Sequence, residues 1–292
     1  MTGTGPVDLF THGIRSAFDY APTGMAVLSP TGVVITCNPA LGELLGRAPA
    51  SLEGSTLVAV AHPDDRMAVR RNLQCVQAGT RRVLRQECRF VRADGSSVWV
   101  LVSTATVPEA PGRPAHLIMH VEDIDARKAL EAELLHRAQH DPLTGLANRS
   151  LLAQRIDDAL MRRQVRPSCL LFVDLDGFKA INDRHGHAVG DQLLQQLARR
   201  LTTLLRPQDV CARLGGDEFV VLCVDTEPHQ AEAIAERLRA AVAEPFAIED
   251  QAITITAAIG VSASDVTTAI DPAHLLRQAD ERMYEAKRRR GP

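Results

Sequence analysis

No stretch of this 292-residue sequence approaches the roughly 20 apolar residues needed to cross a bilayer. The opening MTGTGPVDLFTHG lacks a basic start followed by an apolar run, so it does not read as a signal peptide. A soluble, cytoplasmic protein is expected. Positive charge is not in excess: 33 Lys and Arg against 36 Asp and Glu leave a net charge of −3. No global field draws in nucleic acid or an anionic membrane, and neither is an expected partner; an anionic substrate has to be held by local residues. Paired cysteine spacing is missing too. Cys37, Cys75, Cys88, Cys169, Cys211 and Cys223 are scattered, with no CxxC and no Cys/His metal spacing, and several fall in apolar runs. They read as buried, reduced thiols.

What is present is 45% hydrophobic residues, enough for packed cores, and 24% charged residues, in a length that suits two domains. The expected division is an N-terminal extension over 1–13, a first domain over 14–122, a linking helix over 123–138 and a second domain over 139–292. From Ile14 to about Val121 short apolar runs alternate with turn signals. Gly24–Leu28 reads as a strand, Ser29-Pro30-Thr31-Gly32 as a tight turn and Val33–Cys37 as the partner strand. Asp94-Gly95 between Glu87–Val91 and Val98–Val102 signals a second hairpin, and His116–Val121 is a further strand. Short helices are expected around Ala40–Leu45 and Asp65–Gln77.

Several pieces in order resemble a PAS domain: Ala21-Pro22-Thr23-Gly24-Met25-Ala26, Asn38-Pro39-Ala40, Leu44-Leu45-Gly46, His62-Pro63-Asp64-Asp65, Arg92-Ala93-Asp94-Gly95-Ser96 and Glu122-Asp123-Ile124-Asp125. The resemblance implies a five-stranded antiparallel sheet with flanking small helices, a fold that encloses a ligand or serves as a dimerisation surface. The ligand is unknown: there is no flavin-cysteine motif of the light-sensing type, and no His in the helix around Asp65–Gln77 where a haem ligand is expected. His116 and His120 alternate on one strand face and read as solvent-facing. After this domain, ARKALEAELLHRA (126–138) is rich in helix formers and lacks Gly and Pro. Leu130 and Leu134 share a face that Ala126 and Ala138 extend. The stretch reads equally as a solvated linker helix or as a short coiled coil, since two apolar turns do not establish the latter.

The rest reads as α/β. A helix begins near Asn148. Ser168–Val173 is a continuous apolar run ending in Asp174, the pattern of a strand buried on both faces. A helix from Asp191 to about Leu205 carries Leu193, Leu194, Leu197, Leu201, Leu204 and Leu205 at helical spacing. Val210–Leu214 and Phe219–Val224 flank Gly215-Gly216-Asp217-Glu218 as a hairpin with a glycine-rich tip. A helix over Gln230–Val242, a strand over Ile253–Val261 and a helix from Pro272 to about Arg289 complete the pattern. If the hairpin lies beside the strand that Asp174 closes, Asp174, Asp217 and Glu218 converge where hard divalent cations bind. Gly215 and Gly216 let a nucleotide approach the backbone. Paired metals could then activate a hydroxyl and stabilise a departing pyrophosphate. By spacing alone, Asp217-Glu218 is equally a solvated hairpin turn.

This half resembles the GGDEF family over its whole length. The matching pieces are Asp141-Pro142-Leu143-Thr144-Gly145-Leu146-Ala147-Asn148-Arg149, Asp174-Leu175-Asp176-Gly177-Phe178-Lys179-Ala180-Ile181-Asn182-Asp183, Gly186-His187 with Gly190-Asp191, Arg213-Leu214-Gly215-Gly216-Asp217-Glu218-Phe219, Ile259-Gly260-Val261-Ser262 and Ala279-Asp280 through Tyr284-Glu285-Ala286-Lys287. The resemblance implies a βαββαβ core like the palm of adenylyl cyclases and polymerases. It also implies a diguanylate cyclase: a homodimer that condenses two GTP into cyclic di-GMP and two pyrophosphates, with two Mg²⁺ (or Mn²⁺) per active site.

By the same resemblance Asp174, the Leu175 backbone, Asp217 and Glu218 hold metal, with Glu218 alternatively helping to deprotonate the ribose 3′-hydroxyl. Asn182 and Asp191 bond the guanine edge, and Phe178, Lys179 and Lys287 meet phosphate. Read alone, Asp191 is also a helix N-cap, Asn182 a turn residue and Lys179 a solvated cation. The family's usual Gly-Arg after Ala-Lys is reversed in Arg288-Arg289-Arg290-Gly291, so Gly291 occupies the arginine position and Arg290 could substitute. Arg206-Pro207-Gln208-Asp209 precedes Gly215 at the spacing of the family's inhibitory product site, with Arg237 as its secondary contact; a bare RxxD is otherwise a polar loop. Two alternatives stay open, a catalytically silent nucleotide sensor and a cyclase using another nucleotide. No remaining segment is long enough for a separate phosphodiesterase domain.

Overall fold

The short apolar runs and turns in the first half of the chain become a sheet whose strands alternate in burial. The protein, seen in a computed structural model, is described over residues 6–77, 83–111, 115–161, 167–264 and 272–290. It falls into two units, divided between Ala132 and Glu133. The first begins with α1 (Pro6–Asp19), β1 (Gly24–Leu28), β2 (Val34–Cys37), α2 (Pro39–Leu45), α3 (Pro49–Leu52) and α4 (Leu57–Val60). A 3₁₀ turn (Pro63–Asp65) leads to α5 (Arg66–Gln77), β3 (Val83–Val91), β4 (Ser97–Val107), β5 (His116–Asp123) and α6 (Asp125–Gln139), the helix within which the division falls. The strands form one antiparallel sheet in the order β2-β1-β5-β4-β3. Leu28, Phe90, Val100, Met119 and Val121 fill its inner face.

Asn38 shows why the Asn-Pro-Ala piece is where it is. Fully buried, its Oδ1 accepts from Met25 N (2.8 Å) and Leu41 N (3.1 Å), which caps α2. Its Nδ2 donates to the carbonyls of Phe18 (3.1 Å) and Thr23 (2.9 Å), so the amide is satisfied on both sides.

Several expectations change. The second hairpin is longer than its turn signal suggested, pairing Val83–Val91 with Ser97–Ala105. Helix α1 runs through position 13, and residues 1–5 lie outside the described residues. His120 is half-buried and bonded to Thr23 Oγ1 at 2.6 Å rather than simply facing water. The first turn of α6 is anchored on the sheet: Asp125 Oδ1 accepts from Trp99 N, Glu87 pairs with Arg127 (2.7 Å) and Lys128 (2.5 Å), and Arg89 and Lys128 both lie over the Trp99 ring. Further along, Leu130, Leu134 and Leu135 are 57–59% exposed.

The second unit comprises α7 (Arg149–Met161), β6 (Cys169–Asp176), α8 (Phe178–His185), α9 (His187–Thr203), β7 (Val210–Gly215), β8 (Glu218–Cys223), α10 (Pro228–Ala243), β9 (Phe246–Ile248), β10 (Gln251–Ile253), β11 (Thr256–Ala263) and α11 (Pro272–Arg290). The main sheet is antiparallel in the order β11-β6-β8-β7, which is the expected βαββαβ plan. Strand β6 is buried on both faces: Leu171 and Val173 meet α9 and α10, while Leu170 and Phe172 meet α7 and α11. The single strand expected over Ile253–Val261 is broken, because Ile253 pairs with Phe246 in a separate two-stranded ribbon. Five of the six free cysteines are buried, and burial pushes the thiols of Cys88, Cys169, Cys211 and Cys223 up to about 12.

Helix α11 sits directly on β11 at Gly260, where any Cβ would collide with the backbone of Ala279 and Met283. A backbone wall cannot yield as a side chain can. Gly260→Ala is therefore expected to lower stability in urea unfolding by about 2–3 kcal/mol, at the upper end of overpacking costs; a loss below about 0.5 kcal/mol would show that α11 is free to shift.

Candidate active site

Side chains alternate along a strand, so Asp174 continues the row of Leu170 and Phe172, and Glu218 the row of Val220 and Leu222. The two carboxylates are direct register partners on β6 and β8 and project from the face covered by α7 and α11. Like charges opposite one another on neighbouring strands repel. Lys287, from α11, bonds Asp174 Oδ1 at 2.5 Å. That bond, with Asp176 and Asp217 adding to it, raises the Lys287 pKa. Glu218 has less relief: burial first, then Asp174, Asp280 and Asp217, hold its carboxyl above the ordinary glutamate value, against a lowering effect from Arg149. Beyond Asp174, β6 has no partner on β8, and Leu175 and Asp176 pair only with β11, where Thr256 bonds Asp176 at 2.7 Å. Among the described residues no three carboxylate, His or Cys side chains form a ready metal cluster.

The nucleotide-binding candidates follow from the same strand. Gly177, at φ +75°, turns the chain from β6 into α8, and no side chain caps that helix. Its first turn holds Phe178, buried, and Lys179, exposed. Asn182 lies against Gly190 of α9, where a Cβ would meet its Oδ1, and Asp191 is the next residue of that helix. Asn182 Oδ1 is buried and accepts no hydrogen bond. Asp191 is exposed and lies inside α9, which starts at His187 with Gly186 in the capping position. The N-cap reading of Asp191 is therefore wrong: Gly186, at φ +86°, ends one helix and begins the next, a break hidden in the polar run before the leucines.

The hairpin tip is held by a residue whose importance the spacing did not reveal. Arg213 precedes a register shift in β7 and donates to Gly216 O (3.0 and 2.8 Å) and to both Asp141 oxygens (3.0 and 3.2 Å). Asp141 also accepts from Thr144 N and Oγ1. Burial pushes the Asp141 carboxyl up, but the bonds from Thr144 and Arg213 outweigh it and hold it below the usual range. The tip glycines, Gly215 (φ +148°) and Gly216 (φ +51°), face open space.

Arg206, Asp209 and Arg237 form a separate group, all close enough to act on the Cys223 thiol. Asp209 is committed to structure, accepting from Arg206 N (3.0 Å) and Val224 N (3.2 Å), while Arg237 donates to Leu204 O at 2.6 Å. The side chain of Arg206 is exposed at the rim of a cavity of about 630 Å³ that Arg155 also borders. A second cavity, of about 650 Å³, reaches Glu218, Asp280, Arg149 and Arg277 over a floor that includes Phe172. Of the C-terminal cations, Gly291 and the side chain of Arg290 lie outside what is described.

The family model described as diguanylate cyclase, GGDEF domain matches residues 138–291, and one described as PAS fold matches residues 34–121. The chain thus belongs to the GGDEF family, with a PAS fold ahead of the GGDEF domain. It is 37% identical over 187 residues to the diguanylate cyclase DgcP of Pseudomonas aeruginosa, covering 62% of this chain and 28% of that protein. It is 43% identical over 159 residues to the bifunctional diguanylate cyclase/cyclic di-GMP phosphodiesterase MucR of the same organism, covering 53% and 23%. An uncharacterised Sinorhizobium fredii protein is 32% identical over 94% of this chain and 34% of its own length. The chain therefore spans about a quarter to a third of the length of these relatives. Among solved structures, the coiled coil and GGDEF domain of DgcB from Caulobacter crescentus, in complex with c-di-GMP, superposes with a TM-score of 0.51 at 26% identity, covering 56% of this chain and 87% of that one. Diguanylate cyclase SiaD, bound to its activator SiaC from Pseudomonas aeruginosa, gives 0.50 at 32% identity, covering 56% and 64%. Among the described residues no helix is long and apolar enough to cross a membrane.

Because ionised Glu218 is disfavoured in the fold, Glu218→Gln is expected to stabilise the metal-free protein at neutral pH by about 0.5 kcal/mol. The sign follows from its raised pKa: the gain is present above it and vanishes below the ordinary glutamate pKa, where the carboxyl is protonated folded or unfolded. Urea unfolding at several pH values reads this out, and a pH-independent effect would mean the repulsion is absent.

Proposed function

We propose that the chain is a diguanylate cyclase that, as a homodimer, joins two GTP into cyclic di-GMP and releases two pyrophosphates. The observation that carries the reading is the register pair Asp174–Glu218 with Asp217 at the adjoining tip and Lys287 bonded to Asp174. These oxygens are the hard donors that Mg²⁺ or Mn²⁺ prefers, and the surplus negative charge at Glu218 is what such ions would neutralise. Asp174, the Leu175 carbonyl, Asp217 and Glu218 would hold two ions per site, which would supply charge stabilisation at the α-phosphate and the leaving pyrophosphate.

The chain's own residues do the rest. Lys287, displaced from Asp174, turns to a phosphate, and Phe178 N–H and Lys179 meet phosphate at the uncapped start of α8. Asn182 Oδ1, an acceptor without a donor, takes an N–H of guanine beside Asp191. Glu218 helps remove the proton from the ribose 3′-hydroxyl. Each 3′-oxygen attacks the α-phosphorus of the other GTP, so two domains must face each other, and catalysis is chiefly positioning and electrostatics. The PAS domain and α6 shift the population of productive dimers, and Arg206, Asp209 and Arg237 bind product as an inhibitor.

Mass spectrometry after incubation with GTP and Mg²⁺ tests this. Cyclic di-GMP is expected from the full chain and not from Asp217→Ala; no product from a forced dimer would leave a nucleotide sensor. In the same assay Arg206→Ala is expected to raise final yield by relieving inhibition, and removal of residues 1–121 to change specific activity. Unchanged values would remove those two controls from the proposal.

A further inference from the structure

His136 and His140 lie one helical turn apart near the end of α6, and their rings stack with centroids 4.2 Å apart and planes inclined by 22°. His140 Nδ1 is 3.1 Å from the Gly145 carbonyl oxygen. A carbonyl can only accept, so Nδ1 carries the proton and the ring's lone pair is on Nε2. A ligating imidazole commonly donates its other N–H to a backbone carbonyl in this way, which fixes the ring and makes the free nitrogen more basic. The acceptor is itself fixed: Gly145, at φ +72°, donates to Asp141 O (2.9 Å) in the turn that Thr144 and Arg213 tie to the Asp141 carboxylate. His136 is exposed and His140 half-buried, so solvent reaches both residues. The nearest charges on the helix, Glu133 and Arg137, pair with each other at 2.7 Å.

We propose that His136 and His140 bind one divalent transition ion of the Zn²⁺ class, each giving one ring nitrogen, with water completing the coordination. Imidazole nitrogen selects Zn²⁺, Cu²⁺ or Ni²⁺ and not Mg²⁺, so this site is chemically distinct from the carboxylates at Asp174 and Glu218. A ligating nitrogen must offer its lone pair to the ion, so any proton it carries is released on binding. The bridge would fix the last turn of α6 against the turn that follows it.

Calorimetric titration of the full chain with ZnCl₂, in excess Mg²⁺ at neutral pH, tests the site without reference to turnover. One Zn²⁺ per chain is expected at this site, with a zinc-dependent rise in unfolding temperature. His136→Ala, at an exposed position and with unchanged stability in the absence of zinc, is expected to bind about tenfold or more weakly and to lose the temperature rise, and His140→Ala likewise. Equal zinc binding by the wild type and His136→Ala, or no binding by the wild type, would overturn the proposal.

Discussion

Two carboxylates set in register on adjacent strands, Asp174 opposite Glu218, are the constraint to which the second unit is fitted. Left alone they would push β6 and β8 apart at their open end, so the fold supplies charge from outside the sheet. Lys287 reaches Asp174 from α11, and Arg149, at the start of α7, acts on Glu218 from the other covering helix. Neither could do so unless the helices were seated at fixed positions. For α11 the seat is Gly260, where backbone rests on backbone; for α7 it is the Asn148 cap, whose Oδ1 accepts from Ser150 N and Leu151 N. The compensation is incomplete, and Glu218 is left with a raised pKa.

A second constraint keeps the tip from relaxing away from this charge. Arg213 and Asp141 are only 11% and 15% exposed, so their pair is shielded from solvent far more than a surface ion pair. The same guanidinium holds the Gly216 carbonyl, which ties the tip to the turn immediately after α6. Asp141, Thr144, Arg213 and Gly216 therefore form one hydrogen-bonded unit, and His140 is attached to it through Gly145. In the first unit the start of α6 meets the sheet through Glu87, Trp99 and Asp125. Along the helix itself Leu130, Leu134 and Leu135 stay exposed.

Much of this was legible in the sequence because period and turn chemistry agreed with the tertiary outcome. The continuous apolar run before Asp174 gave a strand buried on both faces, and the glycine tip gave a hairpin whose second strand lies beside it. What escaped was decided by contacts rather than pattern. Ile253 to Val261 alternates like one strand, yet Ile253 is claimed by Phe246 and the chain breaks before Thr256. Gly186 divides two helices where only the second, leucine-striped one carried a periodic signal, and this moved Asp191 from cap to helix interior. Arg213 and Asp141 both stood inside recognisable motifs, but 72 residues separate them, and no local spacing predicts such a pair. The roles of Asp280 and Arg149 beside Glu218 were hidden for the same reason.

The most direct measurement is thermal unfolding of the full chain with Mg²⁺ and GTP together, in the wild type and in Asp174→Asn. If the register pair is the cation site, the two ligands raise the unfolding temperature of the wild type and leave that of Asp174→Asn almost unchanged, since binding stabilises only a fold that can hold the ion. An equal rise in both proteins would contradict it, because the cation would then be held without the carboxylate around which the site is built.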